Sequence, residues 1–415
     1  MPHLLPFLLL AIGSTDPAEA TVTLVSGDAR TGVVESWDAQ SVRLNAGDAT
    51  HDLAANEVLH IRWSRDAAPA AAADQPAASI ELIDGARLRY DEFTVADRVA
   101  AVTAPLLAAP ASISTEKIRR VDLQPPSPAS EAAWRQLEQK EVTGDVLVVA
   151  QRDGESMDYL TGIVGNVTAD QTEFKWDGEQ IAVKRAKIAG IEFYHARVAA
   201  FPAAVCQLTT VDGSSIPART IALAQSALEV TTPAGISVSI PLDQVVAADF
   251  SAGKLAFLSD LKPTESRWTP LIATPAGAQI ARRHGEPRND LSFAGSALTL
   301  LWKDDPLPDR RDIRTYAKGL ALRSRTELTY RLPDKMRRFR TVAGIDPLSA
   351  SQGHVELEIL GDDRVLWQGE IDGQRPPVEI DVELGSARRL QIRVDYGKNL
   401  DYGDRLHLVE ASVTK

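Results

Sequence analysis

Few side chains in this chain could carry out chemistry, and their spacing gives them little support. Cys206 is the one cysteine, so no intrachain disulfide can form. A thiolate nucleophile needs a base close in space, and no motif supplies one. Cys206 follows Ala203, Ala204 and Val205 and opens an alternating segment, which reads as a buried thiol. The seven histidines, His3, His51, His60, His195, His284, His354 and His407, show no metal-ligand spacing. A lone cysteine also excludes thiolate-type zinc. "GESMD" at 154–158 lacks the second glycine of a nucleophile elbow, and no Gly-rich phosphate loop occurs. Asp304-Asp305 and Asp362-Asp363 read as solvated acids on polar loops. Glycoside hydrolysis needs two carboxylates set across a cleft, and nothing selects such a pair. "ARRHGEPRND" (281–290) gathers His284, Glu286 and Asp290 beside three arginines and reads as a loop between strands. No catalytic residue is assigned, and the chain is expected not to be an enzyme.

The elements that would position these groups are short strands. Four segments before residue 250 share one plan of alternating apolar and polar positions broken by turns. Their closing strands align on Val58, Ile118, Ile188 and Val245, spaced by 60, 70 and 57 residues. Their turns align on Gly27-Asp28, Asp84-Gly85, Asp153-Gly154 and Asp212-Gly213. Asp-Gly between alternating runs predicts two-residue hairpins, because glycine accepts positive φ. The expected organisation is a signal peptide at 1–20, small β repeats at 21–64, 79–124, 144–196 and 204–251, and a sandwich at 255–415. An Ala/Pro-rich linker fills 65–78. A second linker, 125–143, holds a short helix capped by Ser130 and docked through Trp134. The repeats resemble Sm-like small barrels in the placement of their turns. With a net charge of −12, no RNA binding is carried over, and nucleic acid is excluded as a partner.

Residues 4–12 are an apolar run too short to span a bilayer, followed by an Ala-x-Ala site at Ala18 and Ala20. That layout predicts export to the periplasm or beyond, without a membrane-spanning segment.

Beyond residue 255 the strands lengthen. Over 320–332 the even positions Leu320, Leu322, Leu328, Tyr330 and Leu332 are apolar, while Arg323, Arg325, Glu327 and Arg331 take odd ones. A period of two predicts one strand with arginines on its wet face. The same alternation at Val355-Leu357-Ile359, Val378-Ile380-Val382 and Leu390-Ile392-Val394 predicts two antiparallel sheets packed as a jelly-roll-like sandwich. The fold class is therefore all-β: tandem small β-barrel-like repeats, then a galactose-binding-like jelly-roll β-sandwich.

Five blocks carry a specific resemblance: "FLSDLKP", "YAKGLALRSRTELTYRLP", "RFRTVAGID", "GHVELEILGDDRVLWQG" and "RLQIRVDYGKNLDYGDRLHLVEASV". In this order they resemble an NPCBM domain, a carbohydrate-binding-module family of the galactose-binding-like group, over about residues 255–414. Tyr316, Lys318, Gly319, Leu320, Ser324, Leu328, Tyr330, Leu332, Phe339, Gly344, Ile345, Asp346, Asp362, Asp395, Gly397 and Asp404 match the family pattern. Arg323 stands where the family often has His, and Leu408 where it has an aromatic. The resemblance implies a non-catalytic carbohydrate-binding protein, with the repeats as platform or interaction surface. The competing readings are an envelope scaffold without a sugar ligand and, behind it, a glycoside hydrolase or its accessory subunit.

Sugar binding needs an aromatic platform and a few fixed polar groups. The candidate ligand-binding residues are Tyr316, Arg323, Arg325, Trp367, Tyr396, Asn399 and Tyr402, with Trp302 as a further aromatic. The loop "DYGKNLDYGD" (395–404) reads as a contact loop or as a hairpin whose acids cap turns. A structural calcium on Asp395, Asp401 and Asp404 is a further option; no other cofactor is expected. The expected partners are carbohydrate, including acidic glycans drawn to the arginines, and envelope proteins.

Overall fold

The computed structural model describes residues 18–47, 49–64, 77–151, 156–196, 200–271, 285–302 and 312–415. The segment before residue 18, most of the linker 65–78, Gly154, His284 and Asp304-Asp305 lie outside the described residues. The chain divides into two compact units, residues 1–250 and 251–415. No helix among the described residues is long and apolar enough to cross a membrane.

In the first unit Val58, Ile118, Ile188 and Val245 each open a strand: Val58–Trp63, Ile118–Asp122, Ile188–Glu192 and Val245–Asp249. These closing strands pair antiparallel with Ala20–Leu24, Ser79–Leu82, Asp145–Ala150 and Cys206–Thr210 respectively. Every such pair contains one register shift. A bulge at that point increases the local bend and helps each sheet curl on itself.

The turns differ from the two-residue hairpins expected. Gly27, Gly85 and Gly213 have φ of 90°, 86° and 83°. Their amides donate to Leu24, Leu82 and Thr210, whose own amides donate to Asp28, Ala86 and Ser214. Each loop is thus three residues long, with glycine at its left-handed third position. The preceding residue locks the loop: Asp84 accepts from the Ala86 amide at 3.1 Å, and Asp212 from the Ser214 amide at 2.9 Å. Ser26 makes the weaker equivalent to Asp28 at 3.4 Å. The repeated feature is therefore the glycine, and Asp-Gly is one way of preceding it.

The repeats are fused through their closing strands. Arg62, Ile61 and His60 of the first pair with Ala247, Ala248 and Asp249 of the fourth. Arg120, Val121 and Asp122 of the second pair with Glu192, Ile191 and Gly190 of the third. Single contacts, Ser215 with Arg87 and Val167 with Val95, join the fourth repeat to the second and the third to the second. One apolar core runs through all four, and Trp37 packs on Trp63 and Phe250 at ring centroid distances of 6.0 and 5.7 Å. Cys206 is buried within it.

The linker helix spans Pro128–Leu137 and is capped by Ser127 rather than Ser130. Pro128 fits the first helical position, where no amide donor is needed, so the helix begins before Ser130. Ser130 instead returns the bond from position N3, accepting from the Ser127 amide at 2.8 Å. Trp134 is buried against Ala133, Leu137, Val146, Val148 and Ala189. The Arg120 guanidinium covers its ring at 4.3 Å.

The second unit is a two-sheet sandwich. One sheet runs Arg288–Asn289, Gly319–Leu322, Leu406–Thr414, Arg338–Ile345, Val378–Glu383, and Leu255–Phe257 also pairs with Leu406–Thr414. The other runs Glu265–Trp268, Thr326–Arg331, Arg389–Tyr396, His354–Gly361, Arg364–Asp372. The single strand expected over 320–332 is two strands, one in each sheet, with Arg323, Ser324 and Arg325 forming the corner. Arg325 turns it with φ of 63°. Alternation survives the corner, because Leu320 and Leu322 from one sheet meet Leu328, Tyr330 and Leu332 from the other in one core. Arg323 and Arg325 consequently sit at an end of the sandwich, not on the wet face of a strand.

Candidate functional site

Strand pairing brings Trp268 and Tyr396 to the same end of the sandwich. Trp268 lies opposite Thr326, the first residue of its strand, and Thr326 lies opposite Val394 near the end of the next. Trp268, Thr269, Leu271, Arg323, Ser324, Tyr396 and Asp401 surround a hollow of about 30 Å³. That is room for about one water molecule. Trp268 also lines an open cleft of about 490 Å³ with Ser266, Arg267, Glu286 and Pro287. Gly285 lies against the indole, where a Cβ would fall 2.1 Å from Trp268 Cδ2. Gly285 covers one face of the indole, and the cleft and the hollow meet the remainder of the ring.

Charge is arranged around the two aromatics. The Arg323 guanidinium is half-buried and stands 4.7 Å from the Phe293 ring centroid. Burial pulls its pKa below the usual guanidinium range and Arg405 adds to this, while Asp401 opposes it. Arg325 is exposed, with its guanidinium 5.6 Å from the Tyr396 ring centroid. Burial raises the Tyr396 hydroxyl pKa, with Arg325 acting in the opposite sense.

The loop after Tyr396 rests on His354, which is buried. Lys398 donates its amide to His354 Nδ1 at 3.2 Å, and Gly397 donates to the His354 carbonyl at 3.0 Å. With Nδ1 accepting, the ring proton belongs on Nε2, which lies 3.3 Å from Glu370 Oε2. Asp404, also buried, accepts from the His354 amide at 3.1 Å. Burial pushes the Asp404 carboxyl up to about 6, against the opposing pull of that amide.

Of the candidate residues, Arg323 and Tyr396 line the hollow, as does Asp401, and Arg325 flanks Tyr396. Asn399 and Tyr402 are exposed on the adjoining loop, Tyr402 at 64%. Tyr316 does not join them. Its hydroxyl accepts from Trp302 Nε1 at 2.9 Å, and both rings pack on a separate cluster with Leu298, Leu300, Ala321 and Val409. Arg314 covers Trp302 at 4.6 Å, so that ring face is occupied. Trp367 lies on the edge strand of the second sheet and packs on the sandwich core. The calcium option fails on placement. Asp395 is exposed on its strand and Asp404 is buried beneath the loop. Among the described residues no three His, Cys, Asp or Glu side chains are grouped to hold a metal ion. Trp268 and Glu286 carry no periodic signal, because Trp268 ends a strand of only four residues, Glu265–Trp268, and Glu286 lies outside any strand. The rarity of tryptophan was the one available pointer, with seven in the chain.

Residues 258–414 match the family model of the NPCBM/NEW2 domain. Among solved structures, a CBM51 module from a Clostridium perfringens GH95 protein, in complex with methyl-galactose, is 20% identical with a TM-score of 0.32. The match covers 39% of this chain and 99% of that one. The CBM51-2 and INT domains of Clostridium perfringens ZmpB are 21% identical with a TM-score of 0.33, over 39% of this chain and 32% of that one. The tandem CBM51 modules of a family 98 glycoside hydrolase from Streptococcus pneumoniae are 14% identical with a TM-score of 0.32, over 81% and 87%. This chain spans about a third of the ZmpB chain it matches. No curated protein matches the chain.

Proposed function

We propose that this chain, whose residues 258–414 carry an NPCBM/NEW2 domain, is an exported, non-catalytic carbohydrate-binding protein. Glycan is recognised at the Trp268–Tyr396 end of the sandwich, and the fused repeats serve as platform or interaction surface. One observation carries the reading: two aromatics, a guanidinium and a carboxylate converge on a single hollow that adjoins an open cleft through Trp268. The apolar C–H face of a sugar can rest on an indole. Arg323 and Asp401 face the one-water hollow beside it, where the guanidinium donates to, and the carboxylate accepts from, a single hydroxyl or a bridging water. The display of Tyr402 favours binding over a pure scaffold. The apolar run at 4–12 and the Ala-x-Ala site support export.

A glycan array probed with the full chain tests the proposal. Trp268→Ala is expected to weaken binding by about 2 kcal/mol, roughly thirtyfold in Kd, as for a central aromatic contact. Tyr396→Ala is expected to act in the same direction. Failure of the wild-type protein to bind any neutral or acidic glycan sinks the reading. Turnover of chromogenic glycosides by the pure protein would overturn its non-catalytic part.

A further inference from the structure

The basic stretch 314–340 carries nine Lys/Arg against two Asp/Glu; Arg323 and Arg325 stand at the Trp268–Tyr396 end, and the fold sorts the other seven into two populations. Arg314 pairs with Asp312 at 2.9 Å, and Lys318 pairs with Asp290 at 3.0 Å and with Asp260. Arg338 and Arg340 share Asp381. Arg389, on the neighbouring strand, pairs with Asp363 at 2.9 Å. The second population is Arg331, Lys335 and Arg337, joined in space by Arg388. These four are exposed and line one cleft of about 420 Å³, where Asp334 is the one acidic residue. None of the four has an ion-pair partner among the described residues. The cleft lies at the end of the sandwich away from Trp268, because strand Thr326–Arg331 starts opposite Trp268 and ends at Arg331.

The walls of this cleft are tied together. Leu332 donates its amide to Arg388 at 2.9 Å, Leu384 donates to Arg337 at 2.7 Å, and Arg337 donates to Thr414 at 2.7 Å. Arg337 Nη1 donates to the Gly385 carbonyl at 2.8 Å, which aims one guanidinium along the cleft wall. Leu332, Met336 and Leu384 are buried beneath it. Clustered like charges repel one another. In a chain of net charge −12 that pairs a carboxylate with each neighbouring arginine just named, these four cations have none paired with them; Asp334 lines the cleft and Asp362 acts on Arg388 from beside it, which leaves an excess of positive charge. An oxyanion would relieve the repulsion and accept charge-assisted hydrogen bonds from the guanidinium forks. Among the described residues no aromatic side chain lines the cleft, so nucleic-acid bases would find no stacking platform among them.

We propose that this cleft is a second binding site, which takes the sulfate or carboxylate groups of an anionic polysaccharide. It goes beyond the Trp268 site and depends on the carbohydrate reading only for the class of polymer. The full chain, Arg331→Gln/Arg388→Gln and Trp268→Ala are titrated at low salt with dextran sulfate, polygalacturonate, neutral dextran and a single-stranded oligonucleotide. Dextran sulfate reads the sulfate arm and polygalacturonate the carboxylate arm. The expected result is binding of at least one acidic polymer by the wild type, weakened tenfold or more in the double variant and retained by Trp268→Ala. Lys335→Gln, on an exposed turn, serves as the comparison should the double variant not fold. No binding of either acidic polymer, or equal binding by wild type and variants, overturns the proposal. Oligonucleotide binding of equal strength with the same loss in the double variant overturns the polysaccharide assignment. Failure of the wild-type protein to bind neutral glycan on the array counts against the Trp268 site alone, so the two readings fail separately.

Discussion

At the scale of single residues, Asp404 couples the candidate site to pH. Its carboxyl is pushed from 3.8 up to about 6 by burial, so between those values the folded state holds a proton that the unfolded state has released. Its contribution is fully present below pH 4 and declines as pH rises toward 6. At neutral pH the ionised group costs the fold up to about 3 kcal/mol, at 1.36 kcal/mol per pKa unit. Asp404→Asn keeps an oxygen for the His354 amide and removes the charge. The variant is therefore expected to be more stable than wild type above pH 6, with the advantage vanishing near pH 4, in urea unfolding across that range. His407 acts in the opposite sense: burial lowers its pKa, so its contribution is lost as pH falls below its ordinary value. The variant-minus-wild-type difference removes that common term. The site itself was only partly legible at this scale. Arg323, Tyr396 and Asp401 could be picked out by side-chain type, yet nothing in sequence order places Trp268 opposite Thr326. That neighbour relation is made by pairing between strands about sixty residues apart.

At the scale of elements, alternation was a faithful guide to burial and a poor guide to breaks. The apolar positions of 320–332 do face the core, as a period of two requires. Alternation carries no mark of a corner, however, because Leu322 and Leu328 keep the same parity whether one strand or two lie between them. The clue at the corner is Arg325 at positive φ, which side-chain type does not announce. The turn glycines were more readable. Gly85 has φ of 86° and open space where a Cβ would stand. Gly85→Ala should therefore cost about 1–2 kcal/mol from backbone strain alone, and Gly85→Asn less, in equilibrium denaturation. The linker helix was visible, but its start was shifted by the proline that precedes Ser130. Its docking residue should matter more than its cap: Trp134→Ala is expected to cost about 3–5 kcal/mol.

At the scale of the whole molecule, each unit owns a separate apolar core, one within residues 20–250 and the other within 258–413. Residues 251–415 expressed alone should fold, and their urea midpoint should coincide with one of two transitions of the full chain. A single transition with no stable isolated unit would contradict this. The repeat period was legible because turn glycines and closing strands recur. The order in which repeats join was not, since every closing strand offers similar edges and sequence cannot tell which two will meet.

The joining of the first repeat to the fourth has a consequence for how the chain is made. Val58–Trp63 has every strand of its own repeat once residue 63 has been synthesised, yet one of its edges waits for Val245–Asp249. Closing so distant a contact is slow, because the intervening chain must be ordered first. Until then an apolar strand edge stands open, the kind of surface on which nascent chains stick to one another. Polypeptides interrupted before residue 245 should therefore aggregate, and a holding chaperone would be needed most by products that end just short of the fourth repeat.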